Sequence, residues 1–384
     1  CFVARDVPAL GYKVYRVAPG SAESAAQTPM DACAFETGRY DVGFGPEGGI
    51  VKLRDKLKGR DLIEEGQRTA TLEGLIGSQM EQSRGRVALT QSGADVWRVV
   101  ETGKVGVIDY EMVYTFVADN ARIDFDIRLD IPKGTRIGCP DPNDADAPKR
   151  GGQTDHGVKL RYIFKALLEA SLNMGPRAVR HQPLIIQTAN AGDQLLDANL
   201  WASVETEKTG LAISNCGSMG YCAVGTSLEP VLAFSGEYVW GNEKFLEGTY
   251  TYRYAIVPYD GYSRHSYSLH RGYGGSAHRS SAHRQAVERD RPMYVHAFTG
   301  QGSRALPLEG SAVALPALDD AVTVQALFPQ DGQLFLRLCN MGEKPLTVTI
   351  DRPLEAINLA LKERGPMASC LHLHPWRLHT FQLR

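Results

Sequence analysis

The sequence lacks any strong imbalance of charge and any long hydrophobic run. Its 42 basic and 44 acidic residues leave a formal net charge of −2, so there is no electrostatic basis for binding nucleic acid or an anionic membrane. Apolar runs such as residues 255–258 are far shorter than the roughly 20 residues that span a bilayer. Hydrophobic residues still make up 43% of the chain, as is usual for globular proteins. We therefore expect a folded, soluble protein with no nucleic-acid or membrane partner.

Cysteine is scarce, and its spacing does not suit a metal site. Seven cysteines are spread along the 384 residues, and no two of them form a C-x-x-C pair. This disfavours a zinc knuckle or a disulfide scaffold, and reduced thiols in a cytoplasmic protein are the simpler interpretation. The chain begins with Cys1, followed by the strand-like FVARDVPALGYKVYRV. Because this beginning resembles the middle of a domain, we expect the chain to come from a longer polypeptide.

Helical periodicity is nearly absent, and alternation of apolar and polar residues takes its place. FETGRYDVGF (35–44), the turn PEGG and IVKLRDKLKGRDLI (50–63) have the pattern of a hairpin. Residues 105–116 and 121–131 form a second alternating pair, typical of an antiparallel sheet with one face on the core and one in water. Only residues 276–289 predict a helix.

The glycine-rich segment GLAISNCGSMGYCAVGTSLEPVLAFSG (210–236) raises the question of a phosphate-binding loop. Such a loop needs a strand, a glycine turn and then a helix whose N-terminal amides hold the phosphate. Here TSLEPVLAFSG follows the last of the clustered glycines, and its proline and apolar residues favour a strand. We therefore interpret Gly217 and Gly220 as turn glycines between two strands.

The same segment, with GTYTYRYAIVPYDG (248–261) after it, resembles the C-terminal half of glycoside hydrolase family 38 α-mannosidases. Other pieces resemble that family in the same order along the chain: VPALGYKVYRV, GGIVKLRDKLKGRDLI, ARIDFDIRLDIP, and finally LFLRLCNMGEKPLTVTI with WRLHTFQLR. The resemblance spans nearly the whole chain. Its order is more specific than any single motif.

The resemblance implies an all-β fold with a large antiparallel supersandwich, of the galactose-mutarotase-like kind, followed by a small C-terminal β-sandwich. A chain of 384 residues is also long enough for two or three domains. We place the tail of a preceding domain at residues 1–30, the large sandwich at 31–300 and the small sandwich at 301–384.

The resemblance also implies that the chemistry lies outside this chain. In family 38 a zinc ion and two catalytic aspartates of a retaining mechanism lie in an N-terminal domain, and retention requires two carboxyl groups about 5 Å apart. No His-x-Asp occurs in this sequence. We therefore expect no catalytic residue, metal or cofactor here. The expected partners are the zinc-binding catalytic domain, a mannoside substrate and further copies in a homo-oligomer.

Two positions depart from the family pattern. Some relatives place an arginine in a Leu-Leu-Arg-Ser stretch that contacts substrate, and here the stretch is Leu-Ala-Phe-Ser with Phe234. A phenyl ring donates no hydrogen bond to a sugar hydroxyl, so any contact with sugar at this position must differ from the contact in those relatives. The family's Pro-His-x-Gly turn has Tyr259 in place of histidine.

Two sets of residues are candidates for binding sugar or for facing the catalytic domain. Aromatic rings stack on sugars, and Tyr238 and Trp240 share one side of a strand, although packing in the core of a β-sandwich is the plainer interpretation. The segment RHSYSLHRGYGGSAHRSSAHR (264–284) combines histidines and arginines. Its spacing puts no two histidines one helical turn apart, and the arginines oppose a cation. A solvated loop and helix is the plainer interpretation, and a wall beside the sugar is the functional one. The candidates from this segment are Arg264, His265, His278 and Arg279.

Two other functions remain open. The first alternative is a stand-alone carbohydrate-binding β-sandwich protein, which binds a glycan without any zinc domain. The second is part of a different polysaccharide-degrading enzyme, such as a lyase acting through tyrosine and histidine. Calorimetric titration with mannobiose distinguishes the first of these, and activity on an acidic polysaccharide the second.

Overall fold

The computed structural model describes residues 3–8, 10–16, 28–29, 33–138, 159–170, 176–183, 185–190, 194–239, 242–260, 277–296, 307–311, 318–319, 321–342 and 344–383. Within these ranges the chain forms 29 strands and one helix, which confirms the predicted all-β fold. The single helix described, α1 (Ala277–Asp290), is not long and apolar enough to cross a membrane.

The strands, in chain order, are β1 (Gly11–Lys13), β2 (Thr28–Pro29), β3 (Ala34–Glu36), β4 (Tyr40–Phe44), β5 (Ile50–Asp55), β6 (Arg60–Asp61), β7 (Thr71–Ile76), β8 (Gln79–Gln82), β9 (Arg84–Ser92), β10 (Val96–Val105), β11 (Ile108–Val117), β12 (Ile123–Ile131), β13 (Leu160–Lys165), β14 (Arg177–Gln182), β15 (Ile185–Asn190), β16 (Gln194–Asp197), β17 (Trp201–Glu205), β18 (Thr209–Asn215), β19 (Gly220–Val224), β20 (Ser227–Ala233), β21 (Gly236–Val239), β22 (Asn242–Lys244), β23 (Gly248–Asp260), β24 (Glu309–Ser311), β25 (Val322–Gln330), β26 (Gln333–Asn340), β27 (Leu346–Ile357), β28 (Arg364–Leu373) and β29 (Leu378–Leu383).

Ten strands form the largest sheet, in the order β15-β14-β17-β18-β23-β12-β11-β10-β9-β2. The predicted pair β11–β12 is confirmed, with Phe116 opposite Ile123 and Asp109 opposite Asp130. Because side chains alternate between the two faces of a strand, all apolar residues of β12 enter the core. Phe125 is fully buried there.

A six-stranded sheet (β16-β19-β20-β13-β7-β8) and a four-stranded sheet (β3-β4-β5-β6) pack on one face of the ten-stranded sheet. Aromatic rings join the layers: Phe125 of β12 lies 4.5 Å from Tyr162 of β13, between ring centroids, and Tyr254, its neighbour in the same sheet, lies 5.4 Å from it. The four-stranded sheet contributes Phe44 of β4, whose ring lies 5.3 Å from that of Tyr114 of β11. This is the large sandwich, and its interior is the main hydrophobic core.

The first predicted hairpin is confirmed as β4–β5, but the prediction of one continuous strand over residues 35–44 is wrong. The segment is two antiparallel strands, β3 and β4, joined by a turn at residues 37–39. The Thr37 hydroxyl accepts hydrogen bonds from the backbone N–H groups of Arg39 and Tyr40. A side-chain oxygen that bonds its own neighbouring backbone in this way stops the strand.

The glycine-rich segment contains strands and turns, as predicted, but the first two strands do not pair. β18 belongs to the ten-stranded sheet and β19 to the six-stranded sheet. The chain crosses between the layers through Gly217, whose φ of +114° disfavours any side chain. Gly220 is the first residue of β19 rather than part of the turn.

Part of the outer face of the ten-stranded sheet is covered by a helix. Helix α1, near the predicted position, packs across β18 and β23. A second hydrophobic cluster lies beneath the helix and includes Trp201 of β17, Ala282 and Ala286 of α1, and Cys339 of β26. This cluster therefore joins the large sandwich to the C-terminal strands.

The C-terminal strands form a five-stranded sheet, β25-β26-β29-β27-β28, around a third cluster. Leu336 and Leu338 of β26 and Leu373 of β28 are fully buried in it. Leu10, from the start of the chain, packs against the same cluster. Nearby, β1 pairs with β24 as a separate two-stranded ribbon, and β2 adds to the edge of the large sheet.

Candidate functional site

The structure describes the side chain of none of the six candidate residues named from the sequence. Tyr238 lies in β21, and His278 and Arg279 lie in the first turns of α1, but their side chains are outside the described set. Trp240, Arg264 and His265 are outside it altogether. Their proposed contact with sugar or with a catalytic domain stays a prediction. Because His278 and Arg279 belong to α1, the described residues around this helix form the surroundings of the candidate site.

Helix α1 is held on the outer face of the sheet by an ionic network. Arg289, in its last turn, forms ion pairs with Asp124 and Asp126 of β12, and Arg122 lies 2.7 Å from the same Asp124, from Nε to Oδ1. The small side chains of Ala282 and Ala286 let the helix approach the sheet closely. The aspartates of β12, expected in water, are thus partly covered and paired.

Beneath α1, two imidazoles lie together in the protein interior. The Trp201 indole N–H donates to Nδ1 of His283 across 3.2 Å, and the His283 ring lies 4.8 Å from that of His181, between centroids. Both histidines are buried, His283 with 1% of its surface exposed. Desolvation lowers the pKa of His181 to about 4. It also lowers the pKa of His283 to about 3, with smaller contributions from His181 and Arg291.

His283 is part of the histidine- and arginine-rich segment that the sequence suggested to be solvated. Its burial shows that this part of the segment is structural. A third ligand would be needed to make a metal site of the histidine pair, and the described residues contain no group of three or more His, Cys, Asp or Glu side chains placed to hold a metal ion. Among the described residues, the histidine pair therefore lacks the further ligands that a zinc site needs.

Tyr259 is the residue that stands where the family pattern has histidine. Its hydroxyl lies 2.8 Å from both Ser203 Oγ and Glu205 Oε2, all buried on the same outer face. A Cβ at Gly210, opposite in β18, would lie 2.3 Å from the Tyr259 ring. The ring therefore covers a position where only glycine fits. In this chain the residue is part of the packing, closed off from solvent.

Phe234, the second departure from the family pattern, lies at the end of β20. The Lys159 ammonium is 5.3 Å from the centre of its ring, a distance suited to a cation–π interaction. A Cβ at Gly138 would lie 2.9 Å from the same ring. Phe234 is half-buried, so the position contributes an aromatic face and a neighbouring positive charge rather than a guanidinium.

The outer face of the six-stranded sheet carries a buried ion pair that the sequence pattern does not predict. Arg161 of β13 and Glu229 of β20 are hydrogen-bonded, with their side chains 8% and 6% exposed. The alternation in LRYIFK places Arg161 opposite to the core residues Leu160 and Tyr162. That pattern predicts an exposed arginine, and only the tertiary structure reveals its burial and its partner.

A shallow depression lies on the C-terminal sheet, lined by residues 356–360 and 378–381. It is open, and no acidic side chain lines it. It therefore lacks the paired carboxyl groups of a glycosidase site. In the described residues the polar groups named above are covered by packing, as the buried pairs Trp201–His283 and Arg161–Glu229 show.

No family model matches the chain, and no curated protein matches it in sequence. Solved structures do match its fold, and they include an α-mannosidase and a protein of glycosyl hydrolase family 38.

An α-mannosidase from Enterococcus faecalis V583 matches 91% of this chain with a TM-score of 0.67 at 12% identity, over 42% of its own length. A protein in the glycosyl hydrolase family 38 from Enterococcus faecalis also matches 91% of this chain, with a TM-score of 0.65 at 12% identity, over 44% of its length. The chain thus spans less than half the length of these proteins. A putative aldose 1-epimerase from Escherichia coli K12 aligns with 61% of this chain and 99% of its own at a TM-score of 0.36 and 11% identity.

Proposed function

We propose that this chain is the non-catalytic, C-terminal β-portion of an α-mannosidase-like glycoside hydrolase that retains anomeric configuration. The observation that carries the proposal is the likeness to the Enterococcus faecalis α-mannosidase over 91% of the chain. The family motifs in the sequence support the same assignment, because they occur in the family's order. The proposed domains are residues 1–30, 31–300 and 301–384.

The proposed division of labour follows from the buried groups. Retaining hydrolysis needs a nucleophilic carboxylate and an acid/base carboxyl that both reach the substrate. Glu101 and Glu229 are buried and bonded to protein donors, Tyr110 and the amide of Gly49 for the first and Arg161 for the second. Such engaged carboxylates suit scaffolding. The catalytic pair and the zinc would belong to a separate catalytic portion, on which this chain packs.

The proposed contribution of this chain to the sugar site is one wall. Tyr238 and Trp240, and the segment with Arg264, His265, His278 and Arg279, remain the candidates for that wall or for the contact with the catalytic portion. The proposed substrate is a mannoside. A cytoplasmic location and assembly into a homo-oligomer are parts of the same proposal.

The test compares the native enzyme, purified from its source by an antibody against this chain, with this chain alone. Both are assayed with nitrophenyl α-mannoside before and after zinc chelation. We expect hydrolysis by the native enzyme, loss of activity on chelation, recovery with added zinc and no turnover by this chain alone.

Other outcomes would contradict the proposal. Binding of mannobiose by this chain in calorimetry, with no glycosidase in the native material, would identify a stand-alone carbohydrate-binding protein. Ultraviolet-absorbing unsaturated products from an acidic polysaccharide would identify a lyase. Turnover by the isolated chain would place catalysis within it.

A further inference from the structure

The ribbon formed by β1 and β24 is an unusual feature of the surface. Tyr12 lies opposite Gly310 and Lys13 opposite Glu309, and the Val14 N–H donates to the Leu308 carbonyl across 2.8 Å. Within the described residues neither strand pairs with a larger sheet. An isolated two-stranded ribbon is marginally stable in water, and its open edges are sites for further pairing.

The ribbon and the chain segment that leads to it are rich in exposed apolar side chains. Of 15 large apolar side chains that are exposed in the described part of the protein, seven lie within residues 12–15, 293–295 and 307–308. These seven are Tyr12, Val14, Tyr15, Met293, Tyr294, Val295 and Leu308. Of these, Tyr12, Val14, Tyr15 and Leu308 belong to the ribbon or its ends, and apolar side chains exposed together in this way are typical of an interaction site.

The aromatic rings of the ribbon are held in place by the protein itself. The Tyr12 hydroxyl donates to the Pro307 carbonyl and the Tyr15 hydroxyl to the Arg5 carbonyl, each across 3.0 Å. With the hydroxyls anchored, the rings remain 37% and 38% exposed. Tyrosines fixed before binding lose little conformational entropy on contact, which makes them good interface anchors.

We propose that the ribbon surface, defined as Tyr12, Val14, Tyr15 and Leu308, is where the catalytic portion of the enzyme docks. The inference rests on the proposed function. The occupant is argued from the solved structures with this fold, whose chains are more than twice as long as the part that matches. In those proteins the fold is one part of a larger polypeptide, and an apolar, aromatic ribbon suits burial against the rest.

The test introduces charge without disturbing the ribbon. Val14→Glu and Leu308→Lys are cross-strand neighbours whose opposite charges can pair, and both side chains are exposed. Leu57→Lys and Met80→Glu are the matched control, since these exposed side chains lie away from the ribbon, Leu57 in the turn between β5 and β6 and Met80 in β8. The double variants are made in the native enzyme, and thermal inactivation of mannosidase activity is followed. Hydrogen exchange at residues 11–15 and 308–311 is compared between the native enzyme and this chain alone.

We expect the ribbon variant to inactivate about tenfold faster or more, as truncation at an interface anchor does, and the control to match the wild type. We also expect the ribbon to exchange more slowly in the native enzyme than in this chain alone. Equal melting of the isolated variants by circular dichroism verifies their folds.

Four results would overturn the inference. Unchanged inactivation of the ribbon variant means that the surface faces solvent. Equal hydrogen exchange of the ribbon in the native enzyme and in this chain alone also means that the surface faces solvent, whether or not the native enzyme hydrolyses mannosides. Protection that appears in the isolated chain only at high concentration assigns the ribbon to a second copy instead. Absence of mannosidase activity together with a protected ribbon overturns the proposed function and, with it, the identity of the partner.

Discussion

Trp201 and His283 are joined by a hydrogen bond of 3.2 Å from the indole N–H to Nδ1, beneath a helix that covers the large sheet. An indole nitrogen only donates, so Nδ1 must be the unprotonated acceptor and the imidazole proton lies on Nε2. In the described part of the chain neither His283 Nε2 nor His181 Nδ1 has a hydrogen-bond partner. The pair is therefore built for the neutral state.

The first prediction is that acid weakens the fold through this pair. The folded pKa values, about 4 for His181 and about 3 for His283, lie below the roughly 6.5 of a free histidine. The unfolded chain then binds more protons than the folded chain as pH falls below about 6.5. Stability should be full above that pH and decline below it, by up to about 1.4 kcal/mol per pH unit for each histidine.

Urea unfolding at a series of pH values between 7 and 5 measures this slope. His181→Phe with His283→Phe removes both titrating groups and should flatten it, even if the variant is less stable throughout. His372→Phe, at an exposed position, is the control. An equally steep slope in the double variant would contradict the prediction.

The second prediction concerns the donor in the same pair. Trp201→Phe removes the only side-chain hydrogen bond described for His283 and leaves a gap in a buried cluster. We expect a loss of about 2–4 kcal/mol, from the missing bond and the smaller ring together. Trp97→Phe, buried in the main core without a hydrogen bond to the described residues, should lose less. Chemical denaturation compares the two, and an equal loss would mean that the bond contributes little.

The third prediction separates two glycines of the segment 210–236. Gly210→Ala would place a methyl group 2.3 Å from the Tyr259 ring, whereas Gly220→Ala would place one 3.6 Å from Val231 with no steric conflict. Overpacking typically costs about 1–3 kcal/mol, so Gly210→Ala should lower the melting temperature and Gly220→Ala should leave it nearly unchanged. Similar melting of the two variants would show that the Tyr259 ring moves aside freely.

The fourth prediction concerns the buried pair Arg161–Glu229. Arg161→Met leaves a buried carboxylate without its partner and should cost about 3–5 kcal/mol, while replacing both residues, with Glu229→Leu added, should restore much of the loss. Calorimetric melting of the single and double variants measures the coupling. If the double variant is no more stable than the single one, other contacts of Glu229 dominate.

Strand positions were largely readable from the sequence, because alternation reports which face of a strand is apolar. The hairpins β4–β5 and β11–β12 were predicted, and so was helix α1. The break at Thr37 was not, since a hydroxyl that caps its own turn looks like any polar residue in an alternating run. The pairing partners of β18 and β19 could not be predicted either, because these two strands are neighbours in sequence but belong to different sheets.

The candidate site shows the same limit more strongly. Histidine and arginine content marked residues 264–284 as notable, but His283 became a buried partner of Trp201, and the polar face of β12 became the support of α1. The proposed sugar-facing residues lie where the structure describes no side chains, and their role stays a prediction.

By itself the sequence determined the all-β class and the apolar faces of its strands, because both follow from local periodicity. Only the tertiary structure decided which polar side chains are buried. The partners of Arg161 and His283 are Glu229 and Trp201, 68 and 82 residues away in the chain, and a group with its partner that distant has no local signature. The same holds for the ribbon, whose strands β1 and β24 lie about 300 residues apart in the chain.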